Sequence, residues 1–495
     1  MKTFLIRGVP LAMQQDGWWM NGNTRADTRD PEAASKTPQT GRLALLIPLI
    51  ALGDVLVWQV LPGLSLAVFG AAIVVAALWV AGKQISGQRF GLVAGGSVLA
   101  LLPLVELVQP LSLLIAICGV SAMLVLLAGL NPAELGGGAL RLWPMGLRQT
   151  FDDGAHMLRH KDGAGLAALV QRMLMGWLVP ITLGLVFLLL LLEANPIAQH
   201  WADAVWRIDI ALPNEDRLLF WLCLLPVIWT ALSLTKMRER LRAVPRAHKM
   251  GPARQGIINP ASVTRALVLF NAVFALQTAM DVIYLYGGVG LPEGITYAEY
   301  AHRGAYPLVI TALLAGGFAL LTRRWTDGNR MLRALLMFWV AQNVMLVVSS
   351  LVRLELYVEV YGLTHLRVAA AIWMGLVAGG LALILWQVWR RHRNGWLMLR
   401  GGAMAGVVLY VCALVSFDAV IARYNLSHPV QRDTYHLCWL GDAAQPIIAA
   451  HELKLGRPLC HARYRVRAPQ DWREWGFRNW RALSSLRDMQ AEVAP

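Results

Sequence analysis

Residues 63–82 read GLSLAVFGAAIVVAALWVAG, a run without a single charged side chain. Such a run decides the fold, because only a hydrogen-bonded helix of roughly 17 to 25 apolar residues crosses a ~30 Å hydrocarbon core. The same test, carried outward along the chain, places spans at 43–61, 63–82, 90–107, 110–130, 173–193, 217–235, 262–288, 305–322, 331–352, 367–389 and 396–416. The expected architecture is all-α: a polytopic transmembrane bundle of about eleven helices with a small helical extracytoplasmic C-terminal domain. Gly and Pro punctuate the short joins at 61–63 and 107–110.

Composition points the same way. The 495 residues are 57% hydrophobic and 15% charged, with a mean hydropathy of +0.50, whereas an ordinary soluble domain is less apolar and more highly charged. The net charge of +15 would suit nucleic acid, but its distribution argues for a membrane instead. With the N-terminus inside, the loops 1–42, 83–89, 131–172, 236–261, 323–333 and 390–400 hold 28 Lys and Arg. The intervening loops at 62, 107–109, 194–217, 289–304 and 353–367 hold five. Cytoplasmic loops carry the positive excess. The expectation is therefore a multi-pass protein of the bacterial inner (plasma) membrane, N-terminus cytoplasmic and C-terminus extracytoplasmic. Membrane lipid is its first partner, and nucleic acid is not one.

This organisation divides the chain into a disordered cytoplasmic N-terminus (1–42), four membrane helices (43–130), a cytoplasmic loop (131–172), a seven-helix membrane region (173–416) and an extracytoplasmic tail (417–495). The start, MKTFLIRGVPLAM, has too short an apolar core for a secretory signal and is expected to stay attached.

Three segments fall on the outer side of this topology: LPEGITYAEYAHRGAYPLVITALLAGGFAL (291–320), YGLTHLRVAAAIWMGLVAGG (361–380) and FDAVIARYNLSH (417–428). Together they resemble a bacterial family of multi-spanning membrane proteins catalogued only as a domain of unknown function, family four-one-seven-three. The resemblance covers roughly 260–450 and implies a location and an architecture, with no activity to carry over. The first 250 residues match that family only in being hydrophobic.

The residues themselves suggest one outer-face site. Tyr297, Glu299, Tyr300, His302 and Arg303 precede the eighth span, Tyr361, Thr364 and Arg367 the tenth, and Asp418, Arg423, Tyr424 and Asn425 follow the eleventh. Both charge signs and hydrogen-bonding aromatics are present. One reading is that the charges pair to lock helix ends while the tyrosines form an interfacial belt. A ligand site and acid/base catalysis are the others. Arg303 or Arg367 is expected to pair with Glu299, Asp418 or another outer acid.

Within the spans, Asp54 reads as mid-helix and Asp281 as lying in the outer third of the seventh span. A carboxylate at depth costs roughly 2.5–3.5 kcal/mol and marks a candidate functional group. Gln277 and Asp281 share a helix face four residues apart, Asn271 adds to the stripe, and Asn343 and Gln342 are candidate partners. GxxxG spacings at Gly91/Gly95, Gly375/Gly379 and Gly402/Gly406 would let backbones approach. His156 and His160 sit four apart, but no common metal-site spacing accompanies them, so neither metal nor cofactor is expected. Phosphate-binding glycine loops, CxxC pairs and GxSxG elbows are absent from the sequence.

Of five cysteines, Cys118, Cys223 and Cys412 fall in apolar runs. Cys438 and Cys460 remain, both in a compartment that permits oxidation, and are expected to form a disulfide; a metal site with His436, His451 or His461, or free thiols, are the alternatives. The tail reads as short helices carrying Trp472, Trp475 and Trp480, a surface for the membrane or for a protein partner. Three functions follow. A non-enzymatic component with an outward-facing ligand or partner site comes first. A transporter or lipid translocase using Asp54 and Asp281 comes second, and a transferase acting on a lipid-linked substrate third.

Overall fold

The computed structural model describes residues 39–159 apart from 83–84, then 215–242, 259–283, and 314–493 apart from 324, 327, 432 and 463. Among these residues the fold is all-α, as expected. Seven helices are long and apolar enough to cross a membrane, or eight when one bent pair counts as a span. The spans expected at 173–193 and, in part, at 305–322 lie outside the described residues.

In order, the helices are α1 (Gln39–Val57), α2 (Leu64–Ala81), α3 (Gly87–Glu106), α4 (Pro110–Leu127), α5 (Leu135–Arg159), α6 (Glu215–Leu232), α7 (Leu234–Arg242), α8 (Pro260–Asp281), α9 (Arg330–Tyr361), α10 (His365–Arg390), α11 (Asn394–Leu414), α12 (Phe417–Ser427), α13 (Thr434–Cys438), α14 (Gln445–Leu455) and α15 (Phe477–Val493). Residues 314–323 are also helical. Their starts follow capping chemistry. The Asn259 side chain accepts from Ser262 N at 2.8 Å, Asn329 from Met331 N at 2.9 Å, and Thr364 from Arg367 N at 3.4 Å, each satisfying a donor that the first helical turn leaves without a partner.

The chain forms two compact units: Met1–Trp58 with Ala72–Phe90 and Leu124–Ala243, and Gln59–Ala71 with Gly91–Met123 and Val244–Pro495. In the first, residues Leu135–Arg159 of the expected cytoplasmic loop form the helix α5. Three glycines (Gly136 to Gly138) and Pro144 disguise it in the sequence, yet it is amphipathic, and it packs on α6 and α7. The last two bend by 77° at Ser233. Asp153 of α5, 5% exposed, holds this elbow from both sides, accepting from Trp229 Nε1 at 3.0 Å and Lys236 Nζ at 3.1 Å, with Gln149 Nε2 adding 2.9 Å. A buried carboxylate is tolerable only when so surrounded by donors.

In the second unit α9 is the hub. Half of its apolar window is buried, against 11% for α11, so α9 is central and α11 peripheral. Trp339 of α9 anchors the core through ring contacts with Phe270, Phe274 and Phe318 at 5.0–5.8 Å between centroids. Leu99, Leu269, Trp373, Leu399 and Val407 point outward, as lipid-facing side chains do. The small-residue spacings do not all serve close packing: a Cβ at Gly91, Gly95, Gly375, Gly402 or Gly406 would meet no described atom within 4 Å, while one at Gly379 would meet Met404 Sδ at 2.7 Å. A tighter approach occurs where no GxxxG pattern flags it, at Gly119, whose Cβ would stand 2.5 Å from that of Ala100.

The tail has its own small core of Ile421, Ala422, Leu426, Leu437, Leu440, Ala444 and Ile448, with Leu363 and Val368 packed against it.

Candidate functional site

Tail and membrane helices are fastened by two sets of polar contacts. At the first, the turn between α9 and α10 is held by α12. Asn425 accepts from Leu363 N at 2.7 Å and donates to Leu363 O at 2.9 Å, pairing with backbone as a strand neighbour would. Gly362 makes this approach possible, with φ at +74° and a hypothetical Cβ only 2.6 Å from Asn425 Oδ1. Arg367 donates to Tyr361 O at 2.9 Å and to Gly362 O, and lies 4.4 Å over the Tyr357 ring. Of the two arginines expected to pair with an acid, Arg303 lies outside the described residues, and Arg367 has no acid partner among them. Its guanidinium serves the carbonyls that a helix C-terminus leaves unpaired, where a cation is favourable. Asp418 takes His365 Nε2 instead, at 3.0 Å. His365 escaped the sequence reading although it stands inside the motif YGLTHLR.

The second fastening is Arg478 of α15, 5% exposed. It meets Glu106 Oε1 at the end of α3 through Nε at 3.1 Å, and its Nη2 donates to Leu414 O and Val415 O at 3.2 and 3.3 Å, where α11 ends. Arg481 adds a second 3.1 Å contact to Glu106. The cysteines Cys438 and Cys460 form a disulfide with Cα atoms 5.8 Å apart. Burial, helped by Asp442 and Asp418, pushes the Tyr464 phenol above its ordinary pKa.

Among the described residues the outer candidates fall into separate groups. Tyr361, Thr364, Arg367, Asp418 and Asn425 build the latch. Tyr424 stacks on His428 at 4.1 Å. Arg423, on another face of α12, lines a separate cleft of about 550 Å³ bounded by α12, α14 and α15. Tyr297, Glu299, Tyr300, His302 and Arg303 lie outside the described residues.

Inside the membrane helices of the second unit a polar track is buried. Asp281, 2% exposed, pairs with Arg353, 6% exposed, and accepts from Gln277 Nε2 at 3.0 Å. Asn271 donates to Leu335 O at 3.1 Å, and Gln342 to Asn271 O at 3.4 Å. Asn343 is no partner of that stripe, since it bonds back to Trp339 O of its own helix at 2.8 Å. Arg353 belongs to α9 rather than to an outer loop. A largely apolar stretch carrying one arginine and two glutamates (LVVSSLVRLELYVEVY) was the available signal. In the first unit Asp54 lies in the last turn of α1, not mid-span, and accepts from Arg217 Nε at 2.8 Å and Trp221 Nε1 at 2.9 Å. Among the described residues no group of three or more His, Cys, Asp and Glu is arranged to hold a metal ion.

Helices of this number, length and composition define a polytopic α-helical membrane protein. A family model described as "Domain of unknown function (DUF4153)" matches residues 45–451, and the chain belongs to that family. The number four-one-seven-three read from the motifs is corrected accordingly. The match also takes in α1 to α7, which had appeared related only by hydrophobicity; it ends inside α14, before Cys460 and α15. No curated protein and no solved structure matches the chain.

Proposed function

We propose that the chain is a non-enzymatic component of a bacterial inner membrane, N-terminus cytoplasmic and C-terminus extracytoplasmic, whose tail presents an outward-facing ligand or partner site. The observation that carries this reading is the open cleft between α12, α14 and α15, in a domain built rigidly enough to hold it. The disulfide, the Asn425 latch and the buried Arg478 anchor all support that rigidity. A protein partner is supported by the exposed Tyr435, Trp439, Trp472 and Trp480 of the same domain, 50–75% exposed, because aromatic side chains are enriched at interfaces. Lipid is the remaining partner.

Outward exposure of the cleft is testable with one introduced thiol. K454C, in a chain whose Cys118, Cys223 and Cys412 are serines, is expected to react with a membrane-impermeant maleimide on intact spheroplasts. Reaction only after permeabilisation overturns the reading.

A second reading, a transporter or lipid translocase, draws on the Asp281–Arg353 pair, since ionisable groups buried among membrane helices mark ion or solute paths by default. Asp54, at a helix end beside a half-exposed arginine, lends it less support.

A further inference from the structure

We infer that the cleft between α12, α14 and α15 is a binding site for a phosphate-bearing amphiphile; the inference deepens the proposed outward-facing site and rests on it. Arg423 and Ser427, four apart on α12, share one face of that helix, and His451 and Lys454, three apart on α14, share one face of theirs; all four line the same cavity of about 550 Å³. Among the described residues no acidic side chain lines it, and neither Arg423 nor Lys454 has a carboxylate partner. Both cations are solvent-exposed and line this one cavity, and a bound anion is what their convergence suits.

The anion's chemistry follows from the donors. An arginine fork matches two phosphate oxygens, a lysine contributes a point charge, and the His451 ring adds short-range hydrogen-bonding capacity. Leu426, Ile447 and Met489 line the same cavity, and its apolar lining has no use for a bare inorganic ion. It suits the first methylenes of a chain or a glycerol backbone. The phosphate can belong to a lipid headgroup or be free phosphate, and the test separates these sources.

The full-length protein in dodecyl maltoside micelles, which contain no phosphate, is titrated with dihexanoyl phosphatidylglycerol and, separately, with inorganic phosphate, with binding read by native mass spectrometry. Saturable binding of the short-chain lipid is expected, at least tenfold tighter than phosphate and weakening as NaCl rises from 50 to 500 mM, because exposed charges are screened. R423Q/K454Q is expected to weaken it tenfold or more. R487Q, which alters an exposed cation of α15 that does not line the cleft, is expected to leave it unchanged. Retention of the Cys438–Cys460 disulfide and of the melting temperature in both variants shows that the domain still folds. Equal affinity for the lipid and for inorganic phosphate, abolished by R423Q/K454Q, keeps the phosphate site and removes the amphiphile. Unchanged lipid binding in R423Q/K454Q, or an equal loss in R487Q, overturns the site. Failure here with K454C still labelled from outside sinks only the ligand assignment, whereas an unlabelled K454C sinks the outward-facing reading itself.

Discussion

Replacing Arg353 with alanine is expected to destabilise the membrane helices by about 3–5 kcal/mol, because it strands the Asp281 carboxylate where almost no water reaches. Native proteins have only about 5–15 kcal/mol of stability to lose, so R353A should show a sharp fall in monodisperse protein after detergent extraction and a lowered melting temperature. Removing both charges at once is the informative comparison. D281L/R353M keeps side-chain volume close to the original and leaves no buried charge, and replacing a buried pair in this way is often neutral. Recovery of most of the lost stability in the double variant, relative to R353A, identifies the stranded charge as the cause. An R353A protein as stable as the unaltered chain would mean that the pair is not buried as described.

Loss of the Cys438–Cys460 disulfide has the second large effect. The bridge closes a loop of 22 residues, and in the chain-entropy model such closure contributes about 3 kcal/mol. That is a large share for a domain whose core holds seven buried side chains. C438S/C460S is expected to make the tail sensitive to limited proteolysis while the membrane helices stay protected, and reductant should reproduce this in the unaltered chain without further effect on the variant. A tail equally resistant in all cases would show that the other fastenings suffice.

How much of this was legible in the sequence depends on distance along the chain. Helices such as Leu64–Ala81 and Pro110–Leu127 follow from hydropathy alone, because a lipid solvent leaves a backbone few other choices. Asp281 was found as a buried carboxylate for the same reason. Its partner was not, because Arg353 stands 72 residues away and its helix runs nine residues beyond the apolar window that located it. Equally, α5 was hidden by glycines whose cost to a helix is offset by packing against α6 and α7. The latch was legible in part: Thr364, Arg367, Asp418 and Asn425 were picked out from their motifs, but their pairing was assigned by charge. Arg367 turned to the carbonyls of a helix end, a group that no residue type announces. Arg478 and Glu106, 372 residues apart, left no local signal at all.

All of the functional reading depends on which side of the membrane the tail occupies. Paired reporter fusions after Pro495 measure it most directly. The account predicts an active alkaline phosphatase and a dark cytoplasmic-type fluorescent protein at that position, because an odd number of spans from a cytoplasmic N-terminus ends outside. A fluorescent fusion with an inactive phosphatase would contradict it, putting the tail and its cleft in the cytoplasm and the number of spans out by an odd number.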